Sequence, residues 1–268
     1  MIPKQNLIKF TCILAVVAFV VVCAAVYYNN HPPKHLLPSS PPIKVLFIGN
    51  SFTSVNDLPA MVAQIATSLG DTVIHDMSAP GGYTFAQHTT NQDTLNKIRA
   101  QAWDFVVLQE QSELPTNPAY QVAQFVTPYA IQLNNDILQA NPKAKTVFYE
   151  TWGYKNGDTQ FCPTNPAVCT YKDMQERLNN AYQMLATQTS AKLAPVGEAW
   201  SLARKLYPNI NLYQSDDKHP SEQGTYLAAC VFYVTLFNKP VVGAAALDLS
   251  KQDAAALQQI AQELILKN

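Results

Sequence analysis

Two patterns of apolar and polar positions alternate along the chain after Pro42. Short apolar or β-branched runs at Lys44–Ile48, Thr72–His75, Phe105–Leu108, Thr146–Tyr149 and Lys192–Val196 predict five strands. Near-continuous runs such as Val45-Leu46-Phe47-Ile48 and Phe105-Val106-Val107-Leu108 suit strands covered on both faces. Between them the spacing turns helical. Leu58, Met61, Val62, Ile65 and Leu69 form one stripe, entered at Asp57 with Pro59 in the first turn and closed by Gly70. Thr170 opens another helix, with Met174, Leu178, Ala181 and Leu185 on its buried side, and Ser221 and Ser250 are placed to cap two more. Strands alternating with helices predict a parallel sheet with right-handed crossovers, a three-layer α/β/α sandwich. In such sheets a site forms beyond the carboxyl ends of the strands.

The first 42 residues follow neither pattern. Lys4 and Lys9 precede an uncharged run, Phe10–Tyr28, in which Thr11 is the clearly polar position. As a helix, the run would rise about 28 Å, close to the thickness of a bilayer's hydrocarbon core. That length favours an uncleaved anchor over a cleaved signal, although Cys23-Ala24-Ala25 offers a weak cleavage site. Residues 1–28 are therefore read as a membrane anchor or signal, with lysines that hold the N-terminal end in the cytoplasm. Prolines at 32, 33, 38, 41 and 42 make residues 29–42 an extended tether, and residues 43–268 remain as one domain. The expected location is outside the cytoplasm, membrane-anchored, or secreted if the segment is cleaved. Disulfides persist there, and Cys162 and Cys169, flanking a short loop, are the natural pair. Cys230 is expected as a buried thiol.

Charge narrows the partners. With 18 Lys+Arg against 19 Asp+Glu, the chain has a formal net charge of −1 and no basic stripe, which excludes a nucleic-acid partner. There is no Gly-x-Gly-x-x-Gly and no phosphate-loop lysine, which argues against a nucleotide. Five histidines without metal-ligand spacing argue against a catalytic metal, and no cofactor is expected.

Candidate chemistry stands at the strand ends. The first strand runs into Gly49-Asn50-Ser51-Phe52-Thr53, where a serine hydroxyl emerges at a tight turn rich in backbone N–H groups. Taken alone, a serine there reads more often as a helix cap. Asp216 lies three residues before His219, so it can fold back onto Nδ1 and leave Nε2 free as a base. Taken alone, Asp216-Asp217-Lys218-His219 reads equally well as a solvated turn.

Together these residues resemble the SGNH, or GDSL-type, hydrolase superfamily, whose blocks fall in the same order. Gly49-Asn50-Ser51 resembles the first block, with Ser51 as nucleophile, and Asp216-x-x-His219 resembles the last, the base and its orienting acid. Pro80-Gly81-Gly82-Tyr83-Thr84 is similar to the second block, in which Gly82 would contribute an N–H to the oxyanion hole beside that of Ser51. The third block departs. In place of the usual Gly-x-Asn-Asp the chain has Gln109-Glu110-Gln111-Ser112, which is similar to a Gln-Gly-Glu block of some carbohydrate acetylesterases. The resemblance favours Gln109 as third donor, with Gln111 as the alternative. Gly-Asn-Ser-Phe-Thr, Gln-Glu-Gln-Ser and Thr151-Trp152 together resemble an uncharacterised bacterial branch.

The resemblance implies a flavodoxin-like fold with a five-stranded parallel sheet. It further implies a serine esterase acting on an ester substrate, with short acyl groups on a glycan as the expected class. A glycan O-acyltransferase using the same triad and a non-catalytic glycan-binding module are the alternatives. His88 could reach the site, though a structural hydrogen-bonding role suits it better. Trp152 and Tyr154 could line a sugar cleft or pack in the core. Glu110 and Glu113 carry no readable separation for a glycosidase pair.

Overall fold

The computed structural model describes residues 41–267. The anchor or signal over residues 10–28, nearly all of the tether, Cys12 and Cys23 lie outside the described residues. Within them, no helix is long and apolar enough to cross a membrane.

Apolar runs become strands where both faces are covered. The strands are β1 (Ile43–Ile48), β2 (Val73–Ser78), β3 (Phe105–Leu108), β4 (Lys145–Tyr149) and β5 (Lys192–Ala194), all parallel, in the spatial order β2-β1-β3-β4-β5. That is the flavodoxin-like order, with its switch point between β1 and β3. Val45–Ile48 and Val106–Leu108 are fully buried, as central strands require. β2 runs three residues past its predicted end. As an edge strand it is half-exposed, so His75, Asp76 and Met77 interrupt the apolar run without ending the hydrogen-bonded ladder. β5 ends two residues early because Pro195 follows Ala194.

The main helices are α1 (Leu58–Ser68), α2 (Gln92–Arg99), α3 (Ala119–Phe125), α4 (Thr127–Ala140), α5 (Tyr171–Thr189), α6 (Val196–Leu206), α7 (Glu222–Phe237) and α8 (Lys251–Leu266). Right-handed crossovers put the β1-to-β2 helix on one face and the helices of the later rightward steps on the other. The packing agrees: α1, α7 and α8 lie together, while α2 packs on α4 and α4 on α5. The result is a three-layer α/β/α sandwich. Helix α7 is apolar on every side and buried almost throughout, so it forms the centre of its layer. Phe232 projects from it edge-on against Phe47 of β1 and Tyr149 of β4. Burying such a ring fully is worth about 1.5–3 kcal/mol.

Register decides where the site lies. Ile48 pairs with Ser78 and with Leu108, and Leu108 pairs with Phe148. The segments beginning at Gly49, Ala79, Gln109 and Glu150 therefore leave the sheet side by side at one edge.

Candidate active site

Gly49 begins the turn after β1 because no side chain fits there. A Cβ would meet Thr53 Oγ1 at 2.4 Å and Gln109 Oε1 at 2.5 Å. Asn50 then caps the helical turn Ser51–Ser54: its Oδ1 accepts from Phe52 N at 3.0 Å and its Nδ2 donates to the Tyr83 carbonyl at 3.0 Å. The second contact ties the turn to the Gly82 loop. Ser51 is thus the first residue of a helical turn. Its N–H and that of Gly82 donate to no group among the described residues. Gly82 has φ +71°, a conformation that glycine adopts without steric cost.

On the far side of the site, Asp216 and His219 share one loop. Asp216 Oδ1 accepts from the N–H groups of Lys218 and His219, each at 3.0 Å, and Oδ2 accepts from His219 Nδ1 at 2.5 Å. His219 Nε2 lies 2.9 Å from Ser51 Oγ. Partial burial alone would raise the Asp216 pKa. The His219 ring and the two N–H groups outweigh it and hold the carboxyl below the ordinary aspartate value. Asp217 faces another way. At φ +59° its carbonyl accepts from Lys155 N at 2.9 Å and its carboxylate pairs with Lys155 Nζ at 3.2 Å. A hydroxyl beside an imidazole that is itself held by a carboxylate can lose its proton as it attacks a carbonyl. Two unengaged N–H groups nearby are the donors an oxyanion would need.

Five further side chains named from the sequence are Gln109, Gln111, His88, Trp152 and Tyr154. Gln109 is fully buried beneath the turn. Its Oε1 accepts from Asn50 N at 2.9 Å and from Thr53 Oγ1 at 2.8 Å, and its amide nitrogen donates to the Glu110 carbonyl. Gln109 therefore supports the nucleophile turn from beneath. Gln111 is partly exposed. Its Oε1 accepts from the N–H groups of Glu113 and Leu114 and its Nε2 donates to Glu113 Oε2 at 3.1 Å, which leaves one amide hydrogen uncommitted. Of the two candidates for third donor, Gln109 is thus the buried one and Gln111 the partly exposed one.

His88 does not line a substrate cleft. It is fully buried, with Nε2 2.8 Å from the Gly49 carbonyl and Nδ1 2.8 Å from Thr94 Oγ1. A carbonyl only accepts, so Nε2 carries the proton and Nδ1 accepts from the Thr94 hydroxyl. Burial lowers the His88 pKa and keeps the ring neutral. Trp152 is also fully buried, stacked between Phe52 at 4.8 Å and Trp200 at 3.8 Å. Its Nε1 donates to the Lys218 carbonyl at 3.0 Å, so it props the His219 loop and offers no face to a sugar. Tyr154 is buried as well, and its hydroxyl donates to Glu113 Oε1 at 2.8 Å. Cys162 and Cys169 are joined, with Cα atoms 4.7 Å apart.

One important side chain carried no usable sequence signal. Glu110 is fully buried, and its Oε1 accepts from Phe85 N at 2.9 Å and from Gln111 N at 2.7 Å. It clamps the end of the Gly82 loop to the end of β3. Burial pushes its pKa up to about 8, so the side chain is a neutral acid at pH 7.

No protein-family model matches the chain, and no curated protein does. Solved structures do. A DUF4886 family protein from Bacteroides uniformis superposes with a TM-score of 0.72 at 21% identity, covering 84% of this chain and 95% of its own. A candidate SGNH hydrolase from Slackia heliotrinireducens gives a TM-score of 0.60 at 29% identity over 73% of this chain and all of its own. A carbohydrate esterase family 3 protein from Talaromyces cellulolyticus gives 0.55 at 16% identity, covering 73% and 97%. With its strand order and these neighbours, the chain has the fold of the SGNH hydrolase superfamily.

Proposed function

We propose that this protein is an exported serine esterase that releases short acyl groups from carbohydrate esters. The reading rests above all on the 2.9 Å contact between His219 Nε2 and Ser51 Oγ, made while Asp216 holds Nδ1. Ser51 Oγ attacks the ester carbonyl as its proton passes to His219 Nε2. The tetrahedral oxyanion accepts from the N–H groups of Ser51 and Gly82, with the free amide hydrogen of Gln111 as third donor. Collapse breaks the ester C–O bond, His219 returns the proton to the departing alcohol, and an acyl-serine remains. Water, deprotonated by His219, then releases the carboxylic acid and restores Ser51.

The substrate class is supported by the resemblance of the third block to that of carbohydrate acetylesterases. A carbohydrate esterase is also among the solved structures that share the fold. Export is supported by the apolar run Phe10–Tyr28 and by a disulfide that persists in an oxidising compartment. The test is labelling of the full chain with a fluorophosphonate, together with aryl acetate hydrolysis. Wild type should label and Ser51→Ala should not, with kcat lower by about 10⁴–10⁶ in the folded variant. A pure Ser51→Ala protein that still hydrolysed the ester at the wild-type rate would refute the reading.

A further inference from the structure

From Gln111 outward, the chain builds a cleft of which the proposed chemistry at Ser51 uses Gln111 alone. It has a volume of about 460 Å³ and lies between the loop after β3 with the start of α3, on one side, and the disulfide-closed loop on the other. Both walls are held in shape. On the second wall, Asp158 Oδ1 accepts from the N–H groups of Gln160 and Phe161, the Asp158 carbonyl accepts from Cys162 N, and the Cys162–Cys169 bond closes the loop. On the first wall, Gln111, Glu113 and Thr116 bond to their own turn. Each wall carries an exposed aromatic ring: Tyr120 is 68% exposed and Phe161 43%.

A chain of side-chain contacts runs from the His219 loop to the cleft. Lys218, the neighbour of His219, sets Nζ 4.5 Å from the Tyr154 ring centre. The Tyr154 hydroxyl reaches Glu113, and Glu113 meets Gln111. Glu113 and Gln111 line the near end of the cleft. At Asn117 the cleft continues into a second cavity of about 730 Å³ between α3 and α5.

Charge selects the ligand. The cleft holds Glu113 and Asp158 and no Lys or Arg; the second cavity adds Asp173, Glu176 and one cation, Arg177. Arg177 is partly engaged, donating to the Thr116 carbonyl at 3.1 Å. An anionic polymer would be repelled, and in the cleft Leu114, Pro118 and Val168 alternate with amide and hydroxyl side chains, so no continuous apolar channel is offered to an acyl chain. Amide and hydroxyl side chains between two aromatic faces suit the hydroxyl edges and apolar faces of sugar rings.

We infer that this cleft is a glycan subsite, in which a neutral oligosaccharide lies between Tyr120 and Phe161 and extends past Asn117 while its acylated ring sits at Ser51. The position of the acylated ring rests on the esterase reading; the binding of the chain does not. A polymeric substrate would fill the two cavities in series, which a single acylated sugar at Ser51 would leave empty.

The test separates the two readings by using binding as well as turnover. Full-chain Ser51→Ala protein is titrated by calorimetry with unacylated tetrasaccharides of xylan, cellulose, mannan and chitin, and with an oligogalacturonate as anionic control. At least one neutral tetrasaccharide should bind, and the oligogalacturonate should not. Tyr120→Ala and Phe161→Ala should each weaken that binding roughly threefold to tenfold. In the Ser51 background, the same substitutions should lower kcat/KM on the acetylated oligosaccharide by a similar factor relative to an aryl acetate. Circular dichroism verifies folding, and Phe161→Tyr should restore binding. Binding by Ser51→Ala without wild-type turnover would uphold the subsite and remove the esterase. Ser51-dependent aryl acetate hydrolysis with no binding of any neutral tetrasaccharide, or with preferred binding of the oligogalacturonate, would overturn the subsite alone.

Discussion

The two halves of the site are built in opposite ways. On the serine side every supporting group is buried: Gly49, Asn50, Gln109 and His88 sit under the turn, and three of their side chains hold its backbone from below. On the base side the groups face water, with the His219 side chain 30% exposed and that of Asp216 43%. That loop is held chiefly through its backbone carbonyls, by Trp152 at Lys218, Lys155 at Asp217 and Asn56 at Pro220. A nucleophile and its oxyanion donors must not reorganise as charge develops, so they belong on a rigid frame. A base must exchange protons and release an alcohol, which an accessible loop allows.

That contrast can be broken first on the base side. Asp216→Asn should lower kcat by about 10²–10⁴, because Nδ1 loses its carboxylate, while Asp217→Asn should stay within a few-fold of wild type. Steady-state kinetics on an aryl acetate checks this, and the opposite ranking would mean that Asp217 serves the ring.

On the serine side, Gln109→Ala removes the acceptor of two buried donors. It should cost about 1–3 kcal/mol in unfolding free energy for each donor left unmet, and roughly tenfold to a hundredfold in kcat. Gln109→Glu keeps an acceptor oxygen and loses the amide donor, so it should retain more kcat than the alanine variant. Equal damage in the two would return Gln109 to the role of oxyanion donor.

Glu110 sharpens the contrast through pH. Its pKa in the folded protein, about 8, lies above the ordinary 4.5. Between those values the native state keeps a proton that the unfolded chain has released. Stability should therefore fall as pH rises from about 5 to 8, by up to about 1.4 kcal/mol per unit, and level off above. Glu110→Gln cannot ionise and should flatten that slope in denaturant titrations across the range. A parallel slope in both proteins would assign the dependence to another group.

The smallest effect belongs to Trp152→Phe. The ring stack with Phe52 and Trp200 survives in part, but the donor to the Lys218 carbonyl is lost. A threefold to tenfold loss of kcat with little change in KM is expected, since a single hydrogen bond is worth about 0.5–1.5 kcal/mol. A change confined to KM would instead connect Trp152 with substrate.

Much of this molecule follows from local pattern. Alternation of apolar runs and helical stripes determined the layer order, because a strand covered on both faces and a helix with one apolar stripe have few ways to pack. Ser51 and the Asp216/His219 pair were legible for a similar reason. One follows a strand directly, and the others lie within a single turn of chain, so short-range geometry brings the chemistry together. The side chains that tertiary structure decided lie far apart in sequence. Gln109 meets Asn50 across 59 positions, His88 meets Gly49 across 39, and Trp152 meets Lys218 across 66. Residue type alone does not say whether a glutamine amide faces the site or the turn beneath it, nor whether an indole is a sugar platform or a prop. That depends on which face of the sheet edge is buried and on which backbone groups need partners there, and the packed layers set both.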